Sequence, residues 1–289
     1  MQNRKQLDRD IKLINTFKGL AEAYEEISVT KMQRVRGKVL SAREFLEELS
    51  KVFDDVKSSY GTQIEQLLKH KKGIFSFSTF NKNGKSVSVL ISSNNKLYGD
   101  IGRKVFRVFM DQVKGTQGDI FIIGKVGKEF FENSGENKKF GYMDFPENES
   151  EQQELSKLLG SLSTYESVHV FYGQFVNVLT QNPVVTNVSG TESLKNNKLE
   201  EKRQVRFFFE PSLEAVLSIF ENQIFGSLFR QTLHESELSH VTSRIRQMEY
   251  ALENIEDSQK KLYKKRKLVI KRQESAKRLQ RLAGISLWR

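Results

Sequence analysis

The sequence predicts an α+β fold: a long antiparallel coiled coil of N- and C-terminal helices with an inserted α/β, Rossmann-like domain. Three observations carry this. Apolar residues recur with period 3.5 near both ends of the 289-residue chain, no proline precedes Pro146, and the middle alternates short β-rich runs with helical ones. The division expected from these patterns is 1–69 for the first helix, 70–208 for the α/β domain and 209–289 for the last helix.

From Leu7, steps of four and three reach Ile11, Ile14, Lys18, Ala21, Glu25, Ser28, Met32, Val35, Val39, Ala42, Leu46, Leu49, Phe53 and Val56. Twelve of those fifteen positions are apolar, a narrow seam that reads as a coiled-coil strand of about 50 residues, ~75 Å long. The polar exceptions, Lys18, Glu25 and Ser28, either face something other than a partner helix or set register. A second seam runs through Leu238, Val241, Ile245, Met248, Leu252, Ile255, Gln259 and Leu262. Pro211 and Ser212 in "EPSLEAV" start that helix, and nothing stops it before Gly284, giving about 70 residues and ~105 Å. Either seam alone would leave an apolar stripe in water, so the two are expected to pair, with one end of the longer helix protruding.

Between them, "GIFSFSTF" and "SVSVLISS" read as strands joined by a hairpin-like turn at "NKNGK". "KLYGDIGRKVFRVFMDQV" reads as a helix, "DIFIIGKVG" as a buried strand and "ESEQQELSKLLGSL" as a helix. "SVHVFYGQFVNVLTQ" and "RQVRFFF" read as strands, with "NVSGTESLKNNKLEEK" as a polar loop. Strands alternating with helices indicate an α/β unit.

Composition narrows the chemistry. There is no cysteine, so disulfides, thiolate–zinc sites and thiol catalysis are excluded. "MQNRKQLDRD" has neither a signal-peptide core nor transit-peptide character, and no apolar run nears ~20 residues, so a cytoplasmic protein is expected. "YGDIGRK" and "IIGKVGKEF" invite a phosphate-loop reading, but Gly127–Lys128 is followed by Glu129 rather than Ser or Thr, and Ile122 stands where the leading glycine belongs. His70, His169, His234 and His240 are scattered, and the six-residue step from His234 to His240 puts them on different helix faces. Neither catalytic, cofactor-binding nor metal-ligating residues are expected. The outstanding feature is "KKLYKKRKLVIKRQESAKRLQR", residues 260–281, where eleven Lys or Arg against Glu274 give net +10 of the chain's formal +11. A stripe of that kind attracts nucleic acid, anionic lipid or an acidic protein surface.

"NTFKGLAEAYEEISVTKMQR" resembles the first helix of the γ subunit, the central rotor shaft, of F-type ATP synthases. Asn15, Thr16, Lys18, Leu20, Ala23, Ile27, Thr30, Lys31 and Met32 fill its pattern if Gly19 counts as a one-residue insertion. "SSNNKLYG", "IIGKVGKEFF", "VFYGQF", "EPS", "ESELSHVTSRIRQMEYALEN" and Arg272–Gln273 follow in the family's order, covering nearly the whole chain. Asn94 and Tyr98 replace the usual Asp and Cys, His240 stands where Glu is common, and the stretch from Asn254 to Arg272 is two residues longer than the pattern.

The resemblance implies a coiled coil standing inside a ring of three α and three β subunits, and an α/β foot gripping the ε subunit and the membrane c-ring. It implies a non-catalytic subunit, peripheral to the membrane at the cytoplasmic face of a bacterial plasma membrane. Ion flow would turn the shaft and drive the β sites through their binding states. Lys31, Arg34, Lys264, Lys265, Arg272 and Gln273 are then expected to meet the acidic levers of the β subunits. The alternatives are a coiled-coil nucleic-acid binder, which accounts for the charge but for neither the first seam nor the motif order, and the rotor of a related rotary ATPase.

Overall fold

The computed structural model describes residues 4–70, 83–146, 149–189, 210 and 212–286. Helix α1 spans Arg4–His70, interrupted only by non-helical geometry at Tyr60, next to Gly61. Its period-3.5 seam is the face turned from water: Leu7, Ile11, Ala21, Ser28, Val35, Val39, Leu46, Phe53 and Val56 are buried and the other seam positions half-buried. Ser28 lies buried in the seam because its hydroxyl donates to the Tyr24 carbonyl at 2.6 Å, one turn back. The last helix, α5, spans Leu213–Ser286, and Ser212 Oγ accepts the Ala215 amide at its start. Pro211 lies outside the described residues.

The chain divides into two compact units. The first, Met1–Thr30 with Arg244–Arg289, is the antiparallel pair of α1 and α5. Its register is written in polar contacts: Arg266 Nε donates to Asp8 at 2.6 Å, Gln259 Nε2 to Asn15 at 2.6 Å and Lys18 Nζ to Glu256 at 3.2 Å. Each step forward along α1 is matched by an equal step back along α5, as antiparallel pairing requires. The polar seam residue Lys18 is therefore a register pin. The α5 seam continues past Leu262 to Arg266 and Val269, and from Lys271 to Ala283 every residue is exposed, beyond the start of α1. The same period there lands on Gln273, Ala276, Gln280 and Ala283, which leave no large apolar group stranded.

The second unit, Lys31–Ser243, carries a five-stranded sheet in the order β3-β2-β1-β4-β5. Its strands are β1 Ser86–Ile91, β2 Asp119–Ile123, β3 Phe140–Met143, β4 Ser167–Phe175 and β5 Gln181–Asn187, all parallel except β5 against β4. Helices α2 (Ile101–Val113) and α3 (Lys125–Glu132) cover one face through Phe109, Val105, Ile120, Ile122, Phe131 and Phe171. Helix α4 (Glu149–Leu162) and the early part of α5 cover the other, where Val87, Val89, Val170, Leu159, Phe225 and Phe229 pack. Alternation along β1 sends Val87, Val89 and Ile91 to one side and Leu90 to the other.

Several readings of the middle segment are corrected. Strand β1 is central, with β2 and β4 on its two edges, so it has no free edge for a hairpin partner from 73–80, a segment outside the described residues. "GKVG" ends no strand; it opens α3, because Gly124 takes φ +98° and turns the chain. "SVHVFYGQFVNVLTQ" divides at an Asx turn in which Asn177 Oδ1 accepts the amides of Leu179 and Thr180. Strand β5, with Pro183, is tolerated because it lies at the sheet edge. "RQVRFFF" and most of "NVSGTESLKNNKLEEK" lie outside the described residues.

Leu46→Asp is expected to lower stability by about 3–5 kcal/mol, since it buries a carboxylate at a seam position that is 8% exposed. Ser28→Ala should cost less than about 1 kcal/mol, because the lost hydroxyl bonded only to its own helix. Circular dichroism melts of both variants check the seam.

Candidate functional site

In a sheet of this topology, the ligand crevice lies at the carboxyl ends of β1 and β4, where the winding direction reverses. Helix α5 narrows that place from the β4 side, and on the other side of β1 the chain ties its own turns to β2 and α3. After β1, Ser92 Oγ donates to the Ile123 carbonyl at 2.8 Å and accepts the Gly127 amide at 2.8 Å. The amides of Gly124, Val126 and Lys128 go to the carbonyls of Met143, Ser93 and Gly124. The donors that a phosphate would use at the start of α3 therefore have internal partners. Asn94 clamps the next residues, donating to the Phe145 carbonyl at 3.1 Å and accepting its amide at 2.9 Å. An aspartate could accept but not donate here, which accounts for the amide at this position.

At the end of β4, α5 crosses the crevice. A Cβ on Gly173 would fall 2.7 Å from Ser239 Oγ and 2.9 Å from Ile101, so glycine is what lets the helix lie against the strand. The ring of His240, buried, tilts against Tyr98 with centroids 5.3 Å apart, so two departures from the γ pattern touch one another. What remains open is a shallow cleft lined by Lys31, Ser93, Tyr98, Glu237 and His240.

One turn earlier on α5, Glu235 is 3% exposed. It accepts two bonds from Arg43 of α1, at 2.7 and 3.2 Å, one from Gln231 at 3.1 Å and one from Tyr172 of β4 at 3.3 Å. Burial, with Glu235 adding to it, pushes the Tyr172 hydroxyl up to about 12, so it stays a donor. Stepping the α5 seam backwards from Leu238 reaches Glu235, Gln231, Leu228, Ile224, Glu221 and Leu217. Glutamate at a core position was the signal that would have singled out this cluster.

Of the six residues expected to meet a partner, Lys31 already pairs with Glu237 at 3.1 Å. Arg34 is exposed three residues further along α1. Lys264, Lys265, Arg272 and Gln273 are exposed on α5, the last two beyond the start of α1, and Lys265 and Arg272 share a face at a spacing of seven. Of the histidines whose side chains are described, His169 and His234 are half-buried, burial and then Lys38 lower the pKa of His234, and His240 is engaged with Tyr98.

Two long terminal helices bracketing a parallel-dominated sheet is a fold shared with rotor proteins. The chain aligns with the rotor of Euglena gracilis mitochondrial ATP synthase at TM-score 0.61 and 12% identity, covering 93% of this chain and 98% of that one. It aligns with the central stalk/c-ring structure of Tetrahymena thermophila mitochondrial ATP synthase at TM-score 0.55 and 15% identity, covering 80% and 99%. The family model described as ATP synthase matches residues 3–275, and the chain belongs to that family. Similar relatives include the ATP synthase gamma chain of Pelotomaculum thermopropionicum, 26% identical over 264 residues and 89% of each chain. Another is that of Desulforamulus reducens, 24% identical over 272 residues, 91% of this chain and 90% of the relative. Among the described residues no helix is long and apolar enough to cross a membrane.

Arg43→Ala should destabilise the protein by about 1–3 kcal/mol in urea unfolding, because it leaves the Glu235 carboxylate buried without its cation. In a double-mutant cycle with Glu235→Gln, the two losses should be clearly less than additive. The isolated chain should show no micromolar ATP affinity by calorimetry, since the amides at the glycine turn are already bonded.

Proposed function

We propose that this chain is the central-stalk rotor subunit of an F-type ATP synthase, coupling ion flow through a membrane ring to the conformational cycle of catalytic β subunits. The observation that carries this reading is the family match over residues 3–275, which takes in both terminal helices and the sheet between them. In this reading 1–69 and 209–289 form the shaft among three α and three β subunits, and 70–208 forms the foot that meets the ε subunit and the c-ring. The subunit itself is non-catalytic in this reading, which fits α5 lying across the end of β4 at Gly173 and the amides at the start of α3 being bonded within the chain. Its place is the cytoplasmic face of a bacterial plasma membrane, held there through the complex.

The basic stretch 260–281 then serves contacts that form and break at each step. Exposed ion pairs contribute only ~0–1 kcal/mol each, so none of them would hold the shaft in one orientation. Arg34, Lys264, Lys265 and Arg272 are the cations offered to acidic levers of the β subunits, with Gln273 beside them. Lys31 would have to exchange Glu237 for such a partner.

Co-purification with α and β chains, followed by ATP hydrolysis and ion pumping in vesicles, tests the assignment. Neutralising Lys264 with Lys265, or Arg34 with Arg272, should leave the melting temperature within a few degrees, because these side chains are exposed. It should lower ion pumping per ATP, and the defect should resemble that of high salt on the unaltered complex. A chain that never co-assembles with α and β would overturn the rotor reading. Undiminished pumping in the variants would overturn only the lever contacts.

A further inference from the structure

Helix α1 has a second apolar face that the coiled coil does not use. Leu13, Phe17, Leu20, Tyr24 and Ile27 are 56, 51, 51, 42 and 59% exposed, and they recur in steps of four and three like the buried seam. Between residues 13 and 30 this face carries no charge; Thr16, Gly19, Ala23 and Thr30 complete it or border it. The Thr16 hydroxyl is bonded to the Lys12 carbonyl, and a Cβ on Gly19 would meet nothing within 4 Å. A charge-free heptad stripe bordered by small residues is shaped to receive another helix at close range. Single exposed apolar residues need no explanation, but five in one stripe do.

We propose that the unassembled chain covers this stripe with the same stripe of a second copy, forming an antiparallel two-fold dimer centred on Leu20. The stripe is self-complementary about that residue: Leu13 would meet Ile27 of the second copy, Phe17 its Tyr24, and Leu20 its Leu20. Five large side chains, each burying roughly 80–100 Å², with the small residues between them, give on the order of 1,000 Å² over both copies, the lower limit of a specific interface. The dimer is therefore weak and reversible. Charge chooses the orientation. A parallel pair would lay the two basic extensions from Lys271 to Ala283 side by side, whereas an antiparallel pair puts them at opposite ends. With +11 on each chain, and Arg9 and Lys31 at either end of the stripe, salt should strengthen association, opposite to its effect on the ion pairs proposed for the rotor. The dimer needs no other subunit and is independent of the rotor reading.

Sedimentation of the purified full-length chain at micromolar to ~100 µM concentration should show a monomer–dimer equilibrium that shifts to dimer as salt rises. Leu20→Asp should weaken it about tenfold or more while the helical signal is kept, since the residue is half-exposed in the monomer. The chain has no cysteine, so Leu20→Cys should oxidise to a disulfide dimer faster than Leu40→Cys, an exposed position off the stripe. Mixed Leu13→Cys and Ile27→Cys chains should cross-link to each other in preference to themselves. Four results would overturn the proposal: a monomer throughout at high salt, association insensitive to Leu20→Asp, equal cross-linking at positions 20 and 40, or like-with-like linking at 13 and 27. A chain that stays monomeric alone, with the stripe protected only when α and β chains are added, would assign it to those subunits instead.

Discussion

The second unit depends on a carboxylate placed where a coiled coil ordinarily puts leucine. Glu235 is a seam residue of α5, and desolvating it is unfavourable unless its lone pairs are met. Arg43 meets them from α1, Tyr172 from β4 and Gln231 from one turn away. Three elements are thereby set in one geometry by a group that tolerates no other. Sliding α1 by one turn would take Arg43 from the carboxylate, and lifting α5 off the sheet would take Tyr172, while the apolar seam on its own would accept either with modest loss. The packing of Val35, Val39 and Leu238 and that of Phe53, Leu217 and Ile224 flank the cluster and supply the attraction; the ion pair supplies the register.

The first unit keeps register differently. Its cross-helix contacts, from Asp8 to Arg266 and from Lys18 to Glu256, are substantially exposed and individually weak. Between them the seam is ordinary, and past Val269 it is replaced by Gln and Ala. That replacement explains how α5 runs on as a single helix with no partner helix among the described residues: nothing large and apolar on the seam needs cover there. The positive charge concentrated on the same stretch keeps it solvated.

Legibility followed period. Both seams, α2, α4 and the parallel core strands were readable, because 3.5-residue and 2-residue repeats are imposed by burial and survive in a single sequence. Strand β5 was hidden by Pro183, a residue that argues against strands everywhere but at an edge, and edges are a property of topology. Strand β3 has four residues, too few for a period. Helix α3 was hidden because its first residues are the glycine turn, whose role depends on Ser92, thirty-five residues before Gly127. The Glu235 cluster was half legible: the glutamate stood in the seam, but its partners Arg43 and Tyr172 come from distant parts of the chain and share no local pattern. The six residues expected to meet a partner came from resemblance and charge, and among the described residues Lys31 has an internal tie, to Glu237, that bears on that expectation.

Beyond Phe225, Phe229 and Leu233, which pack on the sheet, α5 buries serine and threonine where a core helix would ordinarily carry leucine. Ser236, Ser239, Thr242 and Ser243 are all fully buried. Thr242 bonds to the carbonyls of Leu238 and Ser239, whereas the hydroxyls of Ser236, Ser239 and Ser243 have no partner among the described residues. An unpaired hydroxyl contributes nothing by its polarity, so size is what the position selects. The backbone of α5 has to approach Gly173 closely enough that even one added carbon on the strand would collide with Ser239. That closeness lets one helix close the crevice of the sheet with one face while carrying the coiled-coil seam on the other, a double duty that bulkier side chains would prevent by holding helix and sheet apart.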